Sequence, residues 1–136
     1  MPARRVYKIL IVEDESLIGW SMANALKRAG YEPEVVECAD DALREMAAGH
    51  YDLVISDNRL TGMGGMELAI RMKTISRHTP LVLVAAGEDP GLEDLERSEM
   101  VDFLVEKPFK LNEMVALVGS ILDSADRGHF PLRRRV

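Results

Sequence analysis

Five times along this chain a short apolar run gives way to a stretch with helical spacing. The runs are residues 6–12 (VYKILIV), 33–38 (PEVVEC), 52–56 (DLVIS), 81–86 (LVLVAA) and 102–106 (DFLVE). Several are almost wholly apolar and rich in β-branched residues, which suits strands covered on both faces. Between them the spacing predicts helices over 15–29, 40–48, 66–75 and 111–122. A short further helix opens at Asp89-Pro90 and runs to about Ser98. Gly30 and Gly49 stand where the first two helices stop. Each parallel connection needs a crossover, so five strand–helix units imply an α/β, doubly wound, five-stranded parallel sheet with helices on both faces.

Composition narrows the function classes. The 136 residues fit one domain, and the net charge of −6 argues against sequence-independent nucleic-acid binding. No apolar run approaches 18 residues, so no membrane-spanning helix is expected. The start turns acidic before a long apolar stretch develops, unlike a secretory signal. A single cysteine, Cys38, excludes an internal disulfide and any paired-cysteine metal site, and points to a cytoplasmic setting. Residues 124–136 lose the helical pattern and carry Gly128, Pro131 and Arg133 to Arg135. They read as a flexible tail after a folded unit spanning 6–123.

In such folds the reactive residues collect at the carboxyl ends of the strands. The first predicted strand ends in Glu13-Asp14-Glu15, the third in Asp57, the fourth in Ala85-Ala86-Gly87, the fifth in Glu106-Lys107-Pro108. If the first and third strands are neighbours, Glu13, Asp14 and Asp57 converge. Carboxylates about 5 Å apart repel by roughly 3 kcal/mol per pair at an effective dielectric near 20. A hard divalent cation relieves that repulsion, and an all-oxygen set suits Mg²⁺. Lys107 brings a compact positive charge to where a phosphate would sit. Taken singly, each residue has an ordinary explanation: acids favour helix starts, Asp57 suits a turn, and lysines are mostly solvated.

The stretches KILIVEDE (8–15), YDLVISDNRLTGMGGMEL (51–68) and EKPF (106–109) occur in this order. With these motifs the chain resembles a response-regulator receiver domain, the phosphoacceptor module of two-component signalling. The resemblance implies a flavodoxin-like sheet of order 2-1-3-4-5 with five helices. It implies that Asp57 accepts a phosphoryl group and that Glu13 and Asp14 hold Mg²⁺, with Asp14 the more direct ligand. The backbone carbonyl of Arg59 would complete the protein's share of the metal shell. Lys107 would pair with phosphoryl oxygens, and backbone N–H groups near Ala86 would contact them. Lys107-Pro108 would be a cis peptide. The donor would be a phosphohistidine on a sensor histidine kinase or a histidine phosphotransfer protein. The unit would be a signalling domain rather than an enzyme, standing alone or separated from its output domain. It would have no nucleic-acid or membrane contact of its own. Copies would pair through the fourth helix, fifth strand and fifth helix.

Some positions depart from that pattern. Ala85 stands where the family has Thr or Ser, and Leu104 where it usually has an aromatic; Phe103 lies one residue earlier, on the opposite face by period-two alternation. A hydrogen bond to a charged group is worth about 1.5–3 kcal/mol, whereas reversing a 1:99 equilibrium takes roughly 5.5 kcal/mol. Ala85 therefore predicts a weakened switch. The alternative is a phosphorylation-independent interaction module on the same fold. Met100 replaces a glycine that commonly ends the fourth helix, and Thr61 replaces a proline. Arg59 follows the acceptor by two positions and reads either as a partner for the phosphoryl group or Glu13, or as a solvated loop residue. Trp20 lies off the apolar stripe of its helix. His50, His78 and His129 read as solvated. Glu93, Asp94, Glu96 and Glu99 suit a basic partner surface.

Overall fold

In the computed structural model, β1 (Lys8–Val12) pairs in parallel with β2 (Glu32–Val36) on one side and β3 (Leu53–Asp57) on the other. The structure describes residues 5–126 and the backbone of Arg134 and Arg135. Around those strands the chain runs through α1 (Ser16–Arg28), α2 (Ala39–Ala48), the two-residue β4 (Arg59–Leu60) and β5 (Met63–Gly64), and α3 (Gly65–Ile75). It continues with β6 (Leu81–Ala86), α4 (Leu92–Arg97), β7 (Phe103–Lys107), α5 (Leu111–Asp126) and β8 (Arg134–Arg135). The main sheet has the order β2-β1-β3-β6-β7-β8 with every pairing parallel, while β4 and β5 form a separate antiparallel hairpin. The five long strands thus adopt the expected order 2-1-3-4-5.

Alternation along the strands divides the interior into two layers. Leu10, Val12, Val54, Leu83 and Leu104 face α2, α3 and α4, where Ala42, Met46, Leu68, Met72 and Leu95 meet them. Ile9, Ile11, Ile55, Val84 and Phe103 face α1 and α5, against Met22, Leu26, Val118 and Ile121. A buried side chain of this size contributes roughly 1.5–3 kcal/mol, so both faces of the central strands must be covered. The edge strand β2 is largely exposed and carries Glu32 and Glu34, charges that discourage pairing with another chain. The register brings Val12 level with Ser56, Asp57 with Val84, and Ala86 with Lys107. The carboxyl ends therefore lie along one rim.

The structure differs from the expected elements in several places, including β8, which adds a sixth strand to the expected five. The Asp89-Pro90 pair does not cap α4; Asp89 Oδ1 accepts the Gly91 N–H at 3.0 Å and its carbonyl accepts that of Leu92 at 3.1 Å. That turn delays the helix to Leu92. The stretch expected as a plain loop after Asp57 contains the β4–β5 hairpin, turned at Gly62 with φ 86°. The helix α5 runs to Asp126, four residues past the end read from the spacing. The rest of the expected tail, with His129, lies outside the described residues, apart from the backbone of Arg134 and Arg135 beside Phe103 and Leu104. Gly30 ends α1 at φ 98°, whereas α4 ends on Ser98 in extended conformation, without a left-handed cap, as Met100 suggested.

Candidate functional site

At the end of β1 the chain is still held by the sheet, because the Glu13 N–H donates to the Val36 carbonyl at 3.0 Å. This keeps Glu13 inside, with 3% of its surface exposed. Its Oε2 accepts the Glu15 N–H at 3.2 Å where α1 begins. Asp14 follows at the rim, and Asp57 ends β3 next door. Carboxylate oxygens from Glu13, Asp14 and Asp57 all lie within 4.8 Å of one another. Lys107, at the end of β7, reaches across with Nζ 2.9 Å from Asp57 Oδ1. The bond Lys107-Pro108 is cis.

Burial pushes the Glu13 carboxyl above its usual range. The neighbouring Asp57 charge and the Asp14 side chain push the same way, while the Glu15 N–H and the Lys107 charge oppose them. Three acids with one ammonium leave excess negative charge in a partly desolvated pocket. The donor set is entirely oxygen and open on one side. It fits a small hard cation that retains several waters. Among the described residues, these are the three acids close enough to share an ion.

A cleft of about 410 Å³ opens beside the acids, with Asp57 and Lys107 in its wall and Leu17, Met22, Phe109 and Leu111 around it. On α1 next to it, Leu17 is 75% exposed and Trp20 64%, three residues apart on one helix face. Together Leu17 and Trp20 form an exposed apolar rim, with Trp20 off the buried face of α1 as its spacing requires.

The remaining positions named from the sequence fall as follows. Ala85 is buried, and Ala86 lies level with Lys107. Leu104 is buried on the same face as Ala85, and Phe103 packs on the other, as the alternation requires. The Arg59 guanidinium meets neither Glu13 nor the pocket; its Nε lies 3.5 Å from Asp89 Oδ2. His50 is not merely solvated, since its Nε2 lies 3.0 Å from Asp52 Oδ1 at the opposite end of the sheet.

Two residues escaped the sequence reading. Asn58 donates from Nδ2 to Asp89 Oδ2 at 2.7 Å, joining the segment after β3 to the loop before α4. The signal was an acid in a Pro-Gly loop, which reads equally well as a helix cap. The packing also explains Gly65, where a side chain would run into Asn58 Oδ1 and Leu83.

A family model described as response regulator receiver domain matches residues 9–119. The chain is 36% identical over 117 residues to the transcriptional activator protein IrlR of Burkholderia pseudomallei, covering 85% of this chain and 50% of that protein. It is 32% identical over 117 residues to the two-component response regulator PhoP of Pseudomonas aeruginosa, covering 85% and 51%. The chain therefore spans about half the length of these curated relatives. Among solved structures, the response regulator protein TrrA of Thermotoga maritima, in complex with Mg²⁺-BeF, aligns with a TM-score of 0.76 at 30% identity, over 85% of this chain and 98% of that one. A CheY-like receiver domain protein from Methanospirillum hungatei aligns with a TM-score of 0.85 at 22% identity, over 91% and 99%, a likeness in fold.

Proposed function

The chain belongs to the response regulator receiver family of two-component signalling, and from that premise we propose that Asp57 is its phosphoacceptor. The unit is a signalling domain rather than a conventional enzyme. The observation that carries the reading is the meeting of Glu13, Asp14 and Asp57 oxygens within 4.8 Å, with Lys107 Nζ 2.9 Å from Asp57.

An Asp57 oxygen attacks the phosphorus of a phosphohistidine, forming a P–O bond as the P–N bond breaks. The imidazole leaves with the electron pair and takes up a proton. The product is an acyl phosphate. Such a transfer depends mainly on in-line positioning and neutralisation of oxygen charge. Asp14, Asp57, Glu13 and the Arg59 carbonyl are the groups we assign to hold Mg²⁺, which supplies charge neutralisation for the phosphoryl oxygens when bound. Lys107 then moves from the Asp57 carboxylate to a phosphoryl oxygen, and the backbone at Ala86 lies level with it to donate as well.

The donor is a sensor histidine kinase or a histidine phosphotransfer protein. Its approach is supported by the cleft beside Asp57 and by the exposed Leu17 and Trp20. The face formed by α4, β7 and α5 is the one we assign to contacts with a second copy or an output partner. Its exposed Glu93, Asp94, Glu96 and Glu99 favour a basic surface over an identical copy. A cytoplasmic setting belongs to the same proposal; no helix among the described residues is long and apolar enough to cross a membrane.

The switch is weak in this reading, because Ala85 offers no hydroxyl and Leu104 no ring. Those two positions also favour a second reading, a module that binds its partner regardless of phosphate. Incubation with a small phosphodonor and Mg²⁺, followed by mass spectrometry, should place one phosphoryl group on Asp57 and none on Asp57→Asn. No adduct at saturating donor would overturn the proposal. Partner binding unchanged by Asp57→Asn would favour the second reading.

A further inference from the structure

Asp89 lies on the loop between β6 and α4, 31 residues beyond Asn58, and its two oxygens have different partners. Oδ1 accepts the Gly91 N–H at 3.0 Å, which closes a turn inside its own loop. Oδ2 accepts from Asn58 Nδ2 at 2.7 Å and lies 3.5 Å from Arg59 Nε. The carboxylate side chain is only 8% exposed, so these partners stand in for water.

Asn58 has little freedom of its own. Its N–H donates to the Val84 carbonyl at 2.8 Å, its carbonyl accepts from Gly65 at 2.9 Å, and its Oδ1 sits against Gly65. The Asp89 bond therefore completes a junction of β3, β6, α3 and the β6–α4 loop. Asn58 and Arg59 are the two residues that follow Asp57. Ala85 offers no hydroxyl to tie this loop to the acceptor, and Asp89 makes a tie of another kind.

We propose that Asp89 is a positioning residue for the acceptor site. From the β6–α4 loop it holds Asn58 and Arg59, and so sets the Arg59 carbonyl and the Asp57 carboxylate before any phosphoryl group arrives. The proposal rests on the receiver reading for its consequence at the metal, but not for its geometry. The carboxyl of Asp89 is held below its usual range, first by the Gly91 N–H and then by Asn58 and Arg59, which keeps it charged and the bonds charge-assisted.

The test uses the unphosphorylated chain with Asn58→Ala, Asp89→Ala, the conservative Asp89→Asn, and the double alanine variant. Mg²⁺ is titrated calorimetrically, and amide hydrogen exchange is followed over 58–65 and 87–92. Each alanine variant should weaken Mg²⁺ binding by roughly tenfold, the low end for groups that orient metal ligands. Each should also quicken exchange over 58–65 by roughly tenfold, the loss of a charged hydrogen bond. The double variant should be no worse than the worse single one, because both remove one interaction. Asp89→Asn should recover part of both effects. The proposal is overturned if Asp89→Ala quickens exchange only over 87–92 and leaves Mg²⁺ affinity unchanged, since Asp89 then serves its own turn. Should Asp89→Ala not fold, Asn58→Ala spares the Gly91 turn and decides alone, by the same two readouts. Phosphorylation is read nowhere, so failure of Asp57 to accept phosphate leaves this outcome separate. If the parent chain binds no Mg²⁺, the metal reading fails and the exchange over 58–65 decides the role of Asp89.

Discussion

Lys107 Nζ stands 2.9 Å from Asp57 Oδ1, so the ammonium on β7 is already committed to the carboxylate that ends β3. It occupies the electrostatic position that a cation or a phosphoryl oxygen would otherwise share. Lys107→Ala should therefore have opposite effects on two properties. Removing a competing positive charge should tighten Mg²⁺ binding by about fivefold, the equivalent of roughly 1 kcal/mol for a partly solvated charge. Under the proposed function Lys107 also pairs with the phosphoryl group, so its removal should slow acceptance at Asp57 by at least tenfold. Calorimetry and phosphorylation time courses on one preparation check both signs.

Glu13 supplies a pH prediction. Its carboxyl is raised, chiefly by burial. The folded state therefore holds this proton more tightly than the unfolded chain does. The associated stability is fully present below the unfolded value of 4.5 and is lost as pH rises through the folded value. At neutral pH, Glu13 is a cost. Glu13→Gln keeps an oxygen for the Glu15 N–H and removes the charge, so it should raise Tm at pH 7 and have little effect near pH 3. Each kcal/mol gained corresponds to roughly 4 °C in a domain this size. Mg²⁺ should raise Tm of the parent chain at pH 7 and that of Glu13→Gln by less. Calorimetric scans at the two pH values decide it.

Gly65 tests the packing behind the site. A methyl there would meet Asn58 Oδ1 and both methyls of Leu83. Alanine normally favours a helix start over glycine, yet Gly65→Ala should destabilise the fold by about 1–3 kcal/mol through overpacking. It should also loosen the Asn58–Asp89 bond. Urea unfolding gives the first quantity and amide exchange over 58–65 the second. A neutral or stabilising result would mean that Asn58 moves aside freely.

Ala85→Ser tests the proposal that the switch is weak. It adds one hydroxyl at the end of β6, next to Ala86 and so to the level of Lys107. With Mg²⁺ and beryllofluoride, the serine variant should show a larger change in amide exchange over 87–97 than the parent chain. A charged hydrogen bond of about 1.5–3 kcal/mol corresponds to a tenfold or greater shift in a two-state equilibrium. Equal responses in the two proteins would count against the hydroxyl as the missing drive.

Much of this protein was legible in its sequence, for physical reasons. Ile9 to Val12, Leu53 to Ile55 and Leu81 to Val84 are apolar without interruption because strands covered on both faces permit nothing else. Their order along the chain, with a helix between each pair, left few topologies, and the strand ends carry Glu13, Asp14, Asp57 and Lys107 in plain view. Those residues meet because parallel strands bring their carboxyl ends to one rim. That Leu104 and Phe103 face opposite layers followed from alternation, while the role given to Leu104 came from the family resemblance. What only the tertiary structure decided lies between elements. The start of α4, the partner of Arg59 and the bond from Asn58 to Asp89 all depend on which segments come within hydrogen-bonding reach of each other. Periodicity reports which face of an element is buried; it carries no record of two polar side chains 31 residues apart that complete each other's hydrogen bonds.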